Sequence, residues 1–148
     1  MHFANGFAFL VAMTLPTSQQ WIMIFVAAIL QWLFGGLWYG LMFKKSWRTL
    51  VGYAEGEKAT NQAFGLVVSF VACFCLSFVM EHMIGWAGTV TFTGGFKIGV
   101  LCWAGFQAPV LLAQHVFERR RVNLFAINAS YWLMAMGIAG AVLGAFHP

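Results

Sequence analysis

The chain has 148 residues, of which 61% are hydrophobic and only 8% are charged, and its formal net charge is +4. A mean hydropathy of +0.80 and so few charges exclude an ordinary soluble domain, in which about a quarter of the residues are charged. The positive charge does not indicate nucleic-acid binding, because the basic residues flank apolar stretches, as they do in the loops of membrane proteins.

Four apolar stretches predict four membrane-spanning helices, each about 20 residues long. They are expected at residues 21–43, 63–84, 96–117 and 124–146. We interpret residues 1–20 as an interfacial segment, because their apolar part is too short to span. Pro109 removes one backbone hydrogen bond inside the third span and predicts a kink there. The predicted fold is therefore an all-α integral membrane four-helix bundle over residues 21–148.

The basic residues predict the orientation of this bundle. Seven of the eight Lys and Arg residues lie in the first and third loops, and Lys97 alone lies on the other side. Because cytoplasmic loops are enriched in Lys and Arg, both basic loops are expected in the cytoplasm and both termini outside.

Small residues predict where the helices pack, because helices in lipid associate through close contact and hydrogen bonds rather than by hiding apolar surface from water. Gly36 and Gly40 form a GxxxG motif in the first span, and Gly95 and Gly99 form another in the third. At about 100° per residue, the fourth span carries small residues on one face, namely Ala126, Ser130, Gly137, Gly140, Ala141 and Gly144. We interpret these positions as packing seams; the alternative is a substrate path.

Polar side chains at membrane depth are candidates for function. Four of them are expected to be buried: Gln31, Gln107, Gln114 and Asn128. We interpret them as interhelical hydrogen-bonding groups, each bond contributing about 0.6 kcal/mol on average. The alternative is a polar pocket for a small ligand or a lipid headgroup. Gln107 and Asn128 in particular are expected to be hydrogen-bonded between helices and not to line an open pore.

Charged and histidine side chains are expected to meet at the outer ends of the helices. Glu81 lies near the end of the second span and Lys97 near the start of the third, which predicts an ion pair between them. His82 and His147 are expected at the same level as Glu81. Imidazole and carboxylate groups suit a divalent metal, but no two of these residues are spaced four apart, and no metal site is predicted.

The composition argues against an enzyme. All four acidic residues are glutamates, so intramembrane aspartyl chemistry and a Ser-His-Asp triad are excluded. Neither an HExxH motif nor a glycine-rich phosphate loop after a strand occurs. We therefore predict no catalytic residue and no cofactor; a lipid-linked enzyme that uses Glu81 and His82 is an alternative.

Several strings along the chain resemble one protein family. They are Gly36-Leu-Trp-Tyr-Gly40 with Phe43-Lys and Trp47, then Trp103-Ala-Gly-Phe106 with Pro109 and Phe117-Glu-Arg119, and then Phe125-Ala-Ile-Asn128 with Tyr131 and Gly140-Ala-Val-Leu-Gly144. In this order they resemble the bacterial membrane family catalogued as domain of unknown function 1761, from about Trp21 to the C-terminus. The resemblance implies a small four-helix membrane protein and brings no established activity.

These observations predict a small multi-pass protein of the bacterial inner (cytoplasmic) membrane. It is expected to contact membrane lipids and to act as a non-catalytic accessory or structural subunit, packing with itself as a homo-oligomer or with a larger membrane complex. The alternative is a homo-oligomeric small transporter or channel. That alternative requires a continuous polar path lined by the four buried polar residues, Gln31, Gln107, Gln114 and Asn128.

Overall fold

The computed structural model describes residues 15–54, 57 and 61–148. Every regular element in this part of the chain is helical, and four helices are long and apolar enough to cross a membrane. We call them the first to fourth spans, and they run Ser18–Met42, Gln62–Ala87, Phe92–Phe117 and Val122–Phe146. The predicted all-α four-helix fold is thereby confirmed. Residues 1–14 of the predicted interfacial segment lie outside the described residues, and its last three residues belong to the first span.

The ends of the spans follow from local sequence. Thr17 caps the first span: its hydroxyl accepts a hydrogen bond from the Gln20 amide at 3.3 Å, and the Gln20 side chain accepts one from the Thr17 amide at 2.8 Å. This reciprocal capping box satisfies two backbone donors. The second span ends before Gly88, whose φ of 61° is the left-handed conformation that glycine adopts without strain.

Two of the spans contain a π-helical turn. Trp38–Met42 ends the first span, before a short helix, Lys44–Val51, and Trp103–Gln107 interrupts the third. Pro109 is the second residue of the helical segment Ala108–Phe117 that follows the second π turn, where its missing N–H group is tolerated. At the predicted kink, the regular α-helix is thus interrupted by a π turn that ends two residues before the proline. Such turns change the rotational register of a helix and are frequent at functional sites.

The fourth span lies at the centre of the bundle. In its most apolar 18-residue stretch, 56% of the residues are buried, whereas the share is 22% or less in each of the other three spans. It contributes Met136, Ala139 and Leu143 to the apolar core, which is completed by Ile24, Ala27, Met80, Ile84 and Cys102 from the other spans. Large apolar side chains on the other spans are exposed, which suits helices that face lipid.

The third and fourth spans approach so closely that their backbones touch. A Cβ atom added at Gly95 or at Gly140 would overlap the backbone carbonyl oxygen of the other residue. A Cβ atom at Gly99 would overlap a carbonyl of the fourth span, and one at Gly144 would lie 2.7 Å from the carbonyl oxygen of Thr91. Glycine at these four positions lets the two helices gain the close packing that associates helices in lipid. We call this contact the glycine seam.

The structure places the predicted packing residues in two groups. Gly95, Gly99, Gly137, Gly140 and Gly144 lie along the glycine seam, and the ring of Phe96 covers Gly137.

Gly36, Gly40 and Ser130 are exposed instead, so they do not form a packing seam within the described part of the chain. The packed face of the first span runs through Gly35, which lies under the ring of Tyr131; Gly36 is rotated about 100° away from it. Near Ser130 the third span presents a Trp103 indole, which donates to the Ala129 carbonyl at 3.0 Å.

The orientation of the bundle stays a prediction from the basic loops. In a variant without Cys73, Cys75 and Cys102, a Thr91→Cys substitution should react with a membrane-impermeant maleimide in intact cells. Arg120→Cys should react only after the membrane is permeabilised, because Lys and Arg loops stay in the cytoplasm. Labelling of Arg120→Cys in intact cells would show that the bundle has the opposite orientation.

Candidate functional site

The bundle carries a polar cavity at each end. We call the end formed by the loops after the first and third spans, with Lys44, Lys45 and Arg119–Arg121, the basic end. The other end, formed by the start of the first span and the C-terminus of the fourth, is the opposite end. The core between the two cavities is largely apolar.

The basic-end cavity has a volume of about 360 Å³ and lies between the first, third and fourth spans and the short helix Lys44–Val51. Its aromatic wall residues include Trp47 and Trp132. Its polar and charged wall residues are Tyr39, Gln114, His115, Glu118, Arg120 and Asn128. This is the size of a small-ligand pocket, for which about 300–1,000 Å³ is usual.

Tyr39 and Asn128 join the first and fourth spans at this cavity. The Tyr39 hydroxyl donates to Asn128 Oδ1 at 3.1 Å. The Tyr39 ring is fixed between Trp47 and Tyr131, with ring centroids 5.4 and 5.0 Å away. Asn128 is half-buried and is hydrogen-bonded between helices, as expected, but it also lines a cavity. The tyrosine engages its side-chain oxygen, so the amide nitrogen remains a donor for another group.

His115 contributes a buried nitrogen atom without a protein partner. The residue is 7% exposed, and its Nδ1 atom lies 2.9 Å from the Leu111 carbonyl oxygen. A carbonyl only accepts, so Nδ1 carries a hydrogen. Nε2 has no hydrogen-bond partner in the described part of the chain. Buried polar atoms are normally paired, so this nitrogen marks a place for a ligand group or a water molecule.

His115 is buried, whereas two of the predicted glutamines are not. Gln107 is half-buried and Gln114 is exposed, which corrects the prediction that both are buried. The third span faces the bundle through Gly99 and Cys102 before the π turn and through His115 after it. An ionisable residue inside an apolar span was the available signal for this site, and its partner atoms could not be predicted.

Glu81 is buried at the opposite end and pairs with His147. Its carboxylate is 3% exposed, and Oε1 lies 2.8 Å from His147 Nδ1. The predicted ion pair with Lys97 is wrong, because the carboxylate pairs with His147 instead and Lys97 is exposed. Lys97 lies two residues from both Gly95 and Gly99, which face the fourth span, and is therefore rotated about 200° away from the bundle.

The opposite-end cavity has a volume of about 270 Å³, and Gln20, Glu81, His82 and His147 line it. The second carboxylate oxygen of Glu81 has no hydrogen-bond partner among the described residues. The structure thus brings together the acid and the two histidines that the sequence placed at one level. Among the described residues, however, no group of three or more His, Cys, Asp or Glu residues has a geometry that could hold a metal ion.

Gln31 lies in the core between the two ends and is fully buried. Its Nε2 atom donates to Ser77 Oγ at 2.7 Å and to the Ala27 carbonyl at 3.3 Å. The first of these bonds joins the first and second spans. The Tyr131 hydroxyl donates to the Gln31 backbone carbonyl at 3.3 Å, which joins the fourth span to the same place. Gln31 therefore holds three spans together.

Four apolar spans around a glycine seam, with polar groups gathered at the two ends, define a multi-pass helical membrane protein. A family model described as "Protein of unknown function (DUF1761)" matches residues 22–144, and the chain belongs to this family. No curated protein and no solved structure matches the chain significantly.

Proposed function

We propose that the protein is a non-catalytic accessory or structural subunit of the bacterial inner membrane, which packs with copies of itself or with a larger membrane complex. The supporting observation is an open glycine pair on the first span. A Cβ atom at Gly36 or Gly40 would meet no described atom within 4 Å. Glycines at this spacing let helices approach closely in lipid, and the surface here is available to a helix of another chain.

The two GxxxG pairs of the chain support this interpretation by their contrast. Gly95 and Gly99 are covered by the fourth span, whereas no described span covers Gly36 and Gly40. Apolar side chains flank the open pair: Leu33, Leu37 and Leu41 are 55%, 45% and 75% exposed. A second helix would find both a shallow groove and apolar ridges at this place.

Polar groups at membrane depth also fit a packing role better than a conduction role. Gln31 bonds to Ser77 and Tyr39 to Asn128, and both bonds join two spans. The two cavities share no wall residue. A transporter or channel needs a continuous polar path, and Gln107, which it requires, is only half-buried.

A Gly36→Leu substitution tests the proposal. The leucine would fill the groove, so association should weaken about tenfold or more, which corresponds to about 1.4 kcal/mol. Thermal melting of the single chain should not change, because the new side chain meets no neighbour within it. Co-purification in mild detergent and subunit counting by photobleaching in lipid nanodiscs measure the association.

Gly65→Leu is the matched control, because Gly65 is also an exposed helical glycine with no described atom within 4 Å of a Cβ position. Its association should equal that of the unmodified protein. Unchanged complexes in the Gly36→Leu variant would contradict the proposal. Ion or solute flux into liposomes that contain only this protein would also contradict the proposal if the Gln31→Leu variant abolishes that flux. This result would favour the transporter.

A further inference from the structure

We propose that the basic-end cavity binds a phosphate group, carried by an anionic lipid or present as a free ion. This inference is independent of the proposed subunit role, because it depends on groups inside the chain and not on the open glycine pair. It is carried by a buried imidazole nitrogen without a partner, an arginine in the same wall and the excess of positive charge at this end.

The first step concerns His115. Nδ1 is held by the Leu111 carbonyl, so the ring orientation is fixed and Nε2 is the atom left for a ligand. A phosphate oxygen fits this position in either protonation state of the pair. An imidazolium Nε2–H donates to the phosphate oxygen, and a neutral Nε2 accepts from a phosphate hydroxyl. In both cases one proton lies between the two atoms, and the buried nitrogen is satisfied.

The second step concerns Arg120, which lines the same cavity. Its Nε atom lies 2.5 Å from Glu118 Oε2, so one N–H group of the guanidinium is engaged by the carboxylate. A guanidinium has five N–H groups, so others remain to donate to a phosphate. Arginine binds phosphate through paired, charge-assisted hydrogen bonds. The amide nitrogen of Asn128 adds a neutral donor to the same cavity.

The third step concerns charge and shape. Arg120 lines the cavity, and Lys44, Lys45, Arg119 and Arg121 lie at the same end of the bundle, where the described acidic residues are Glu57 and Glu118. The resulting positive potential attracts anions, and basic pockets between membrane helices bind anionic headgroups. Trp47 and Trp132 give the cavity an apolar wall, against which the ester carbons of a lipid phosphate can pack.

Calorimetric titration of the purified protein in phosphatidylcholine nanodiscs tests this proposal with three probes. They are inorganic phosphate, dioctanoyl phosphatidic acid, and dioctanoylglycerol, which has the same chains without a phosphate. We expect saturable binding of at least one phosphate-bearing probe and none of dioctanoylglycerol. Binding of inorganic phosphate assigns a free ion as the ligand, and binding of the lipid alone assigns a headgroup. Either result supports a phosphate site.

Two substitutions locate the binding. His115→Gln and Arg120→Gln should each weaken it about tenfold or more, since each removes a charge-assisted hydrogen bond. His82→Gln is the matched control, because His82 Nδ1 lies at the same 2.9 Å from the carbonyl four residues back but at the opposite end. Its affinity should be unchanged. If His115→Gln does not fold, the affinity of the Arg120→Gln variant tests the proposal, because Arg120 is exposed. Absence of saturable binding, equal binding of dioctanoylglycerol, or an unchanged affinity in Arg120→Gln overturns the proposal.

Discussion

A Gly140→Leu substitution should prevent the third and fourth spans from packing, and little folded protein should be recovered in mild detergent. Even the first atom of the new side chain would overlap the carbonyl oxygen of Gly95. That oxygen belongs to a backbone and cannot rotate away, so the helices themselves must separate. The loss of stability should exceed the ~1–3 kcal/mol typical of overpacked cores. Yield of monodisperse protein and thermal melting measure it.

Two other glycine substitutions should cause smaller losses of stability. Gly137→Ala should cost less, because its Cβ would meet the ring of Phe96, and a side chain can move where a backbone cannot. Gly105→Leu should melt like the unmodified protein, since no described atom lies within 4 Å of its Cβ position. If Gly140→Leu also melts like the unmodified protein, the glycine seam is not where the two spans meet.

Removal of the His147 side chain should destabilise the bundle by about 1–3 kcal/mol, the usual cost of leaving a buried polar group without its hydrogen-bond partner. The Glu81 carboxylate is 3% exposed, and its other oxygen already has no described partner. His147→Ala would therefore leave a buried carboxylate with no described hydrogen bond from a side chain. Denaturant titration in detergent micelles, followed by tryptophan fluorescence, measures the change.

The double variant Glu81→Gln with His147→Ala should recover part of this stability, because it removes the buried charge as well as its partner. Lys97→Ala serves as the control for the pairing that the sequence suggested, and it should have no effect, because Lys97 is exposed. If Lys97→Ala destabilises the bundle and His147→Ala does not, the Glu81 carboxylate pairs with Lys97 and not with His147.

The features that the sequence predicted well depend on length and composition. The thickness of a bilayer fixes how many apolar residues a span needs, so all four spans could be placed to within a few residues at each end. The glycines of the third and fourth spans could be recognised as packing positions because close backbone contact leaves few alternatives to glycine. Gln31 could be recognised as buried because it lies in the middle of an apolar span with no route to water.

The features that were missed depend on helix rotation. A hairpin between the second and third spans makes Lys97 a natural partner for Glu81, and only the direction of the glycine seam shows that Lys97 turns outward. A uniform periodicity of 100° per residue does not include the π turn of the third span, so it could not show which residues after that turn face inward. The partner of Glu81 is His147, which lies 66 positions later in the chain.

The fourth span lies at the centre of the bundle, but it is synthesised after the three spans that pack against it. The bundle therefore cannot be completed in the order in which its spans are made. The first two spans can pair as soon as both are in the membrane, through Gln31 and Ser77. The third span then has its glycine face uncovered, because the helix that fits it is translated after it. Until the 25 residues of the fourth span have been added, this glycine face is open to helices of other membrane proteins. The interval before the fourth span enters the membrane is therefore the one in which a mismatched helix contact forms most easily.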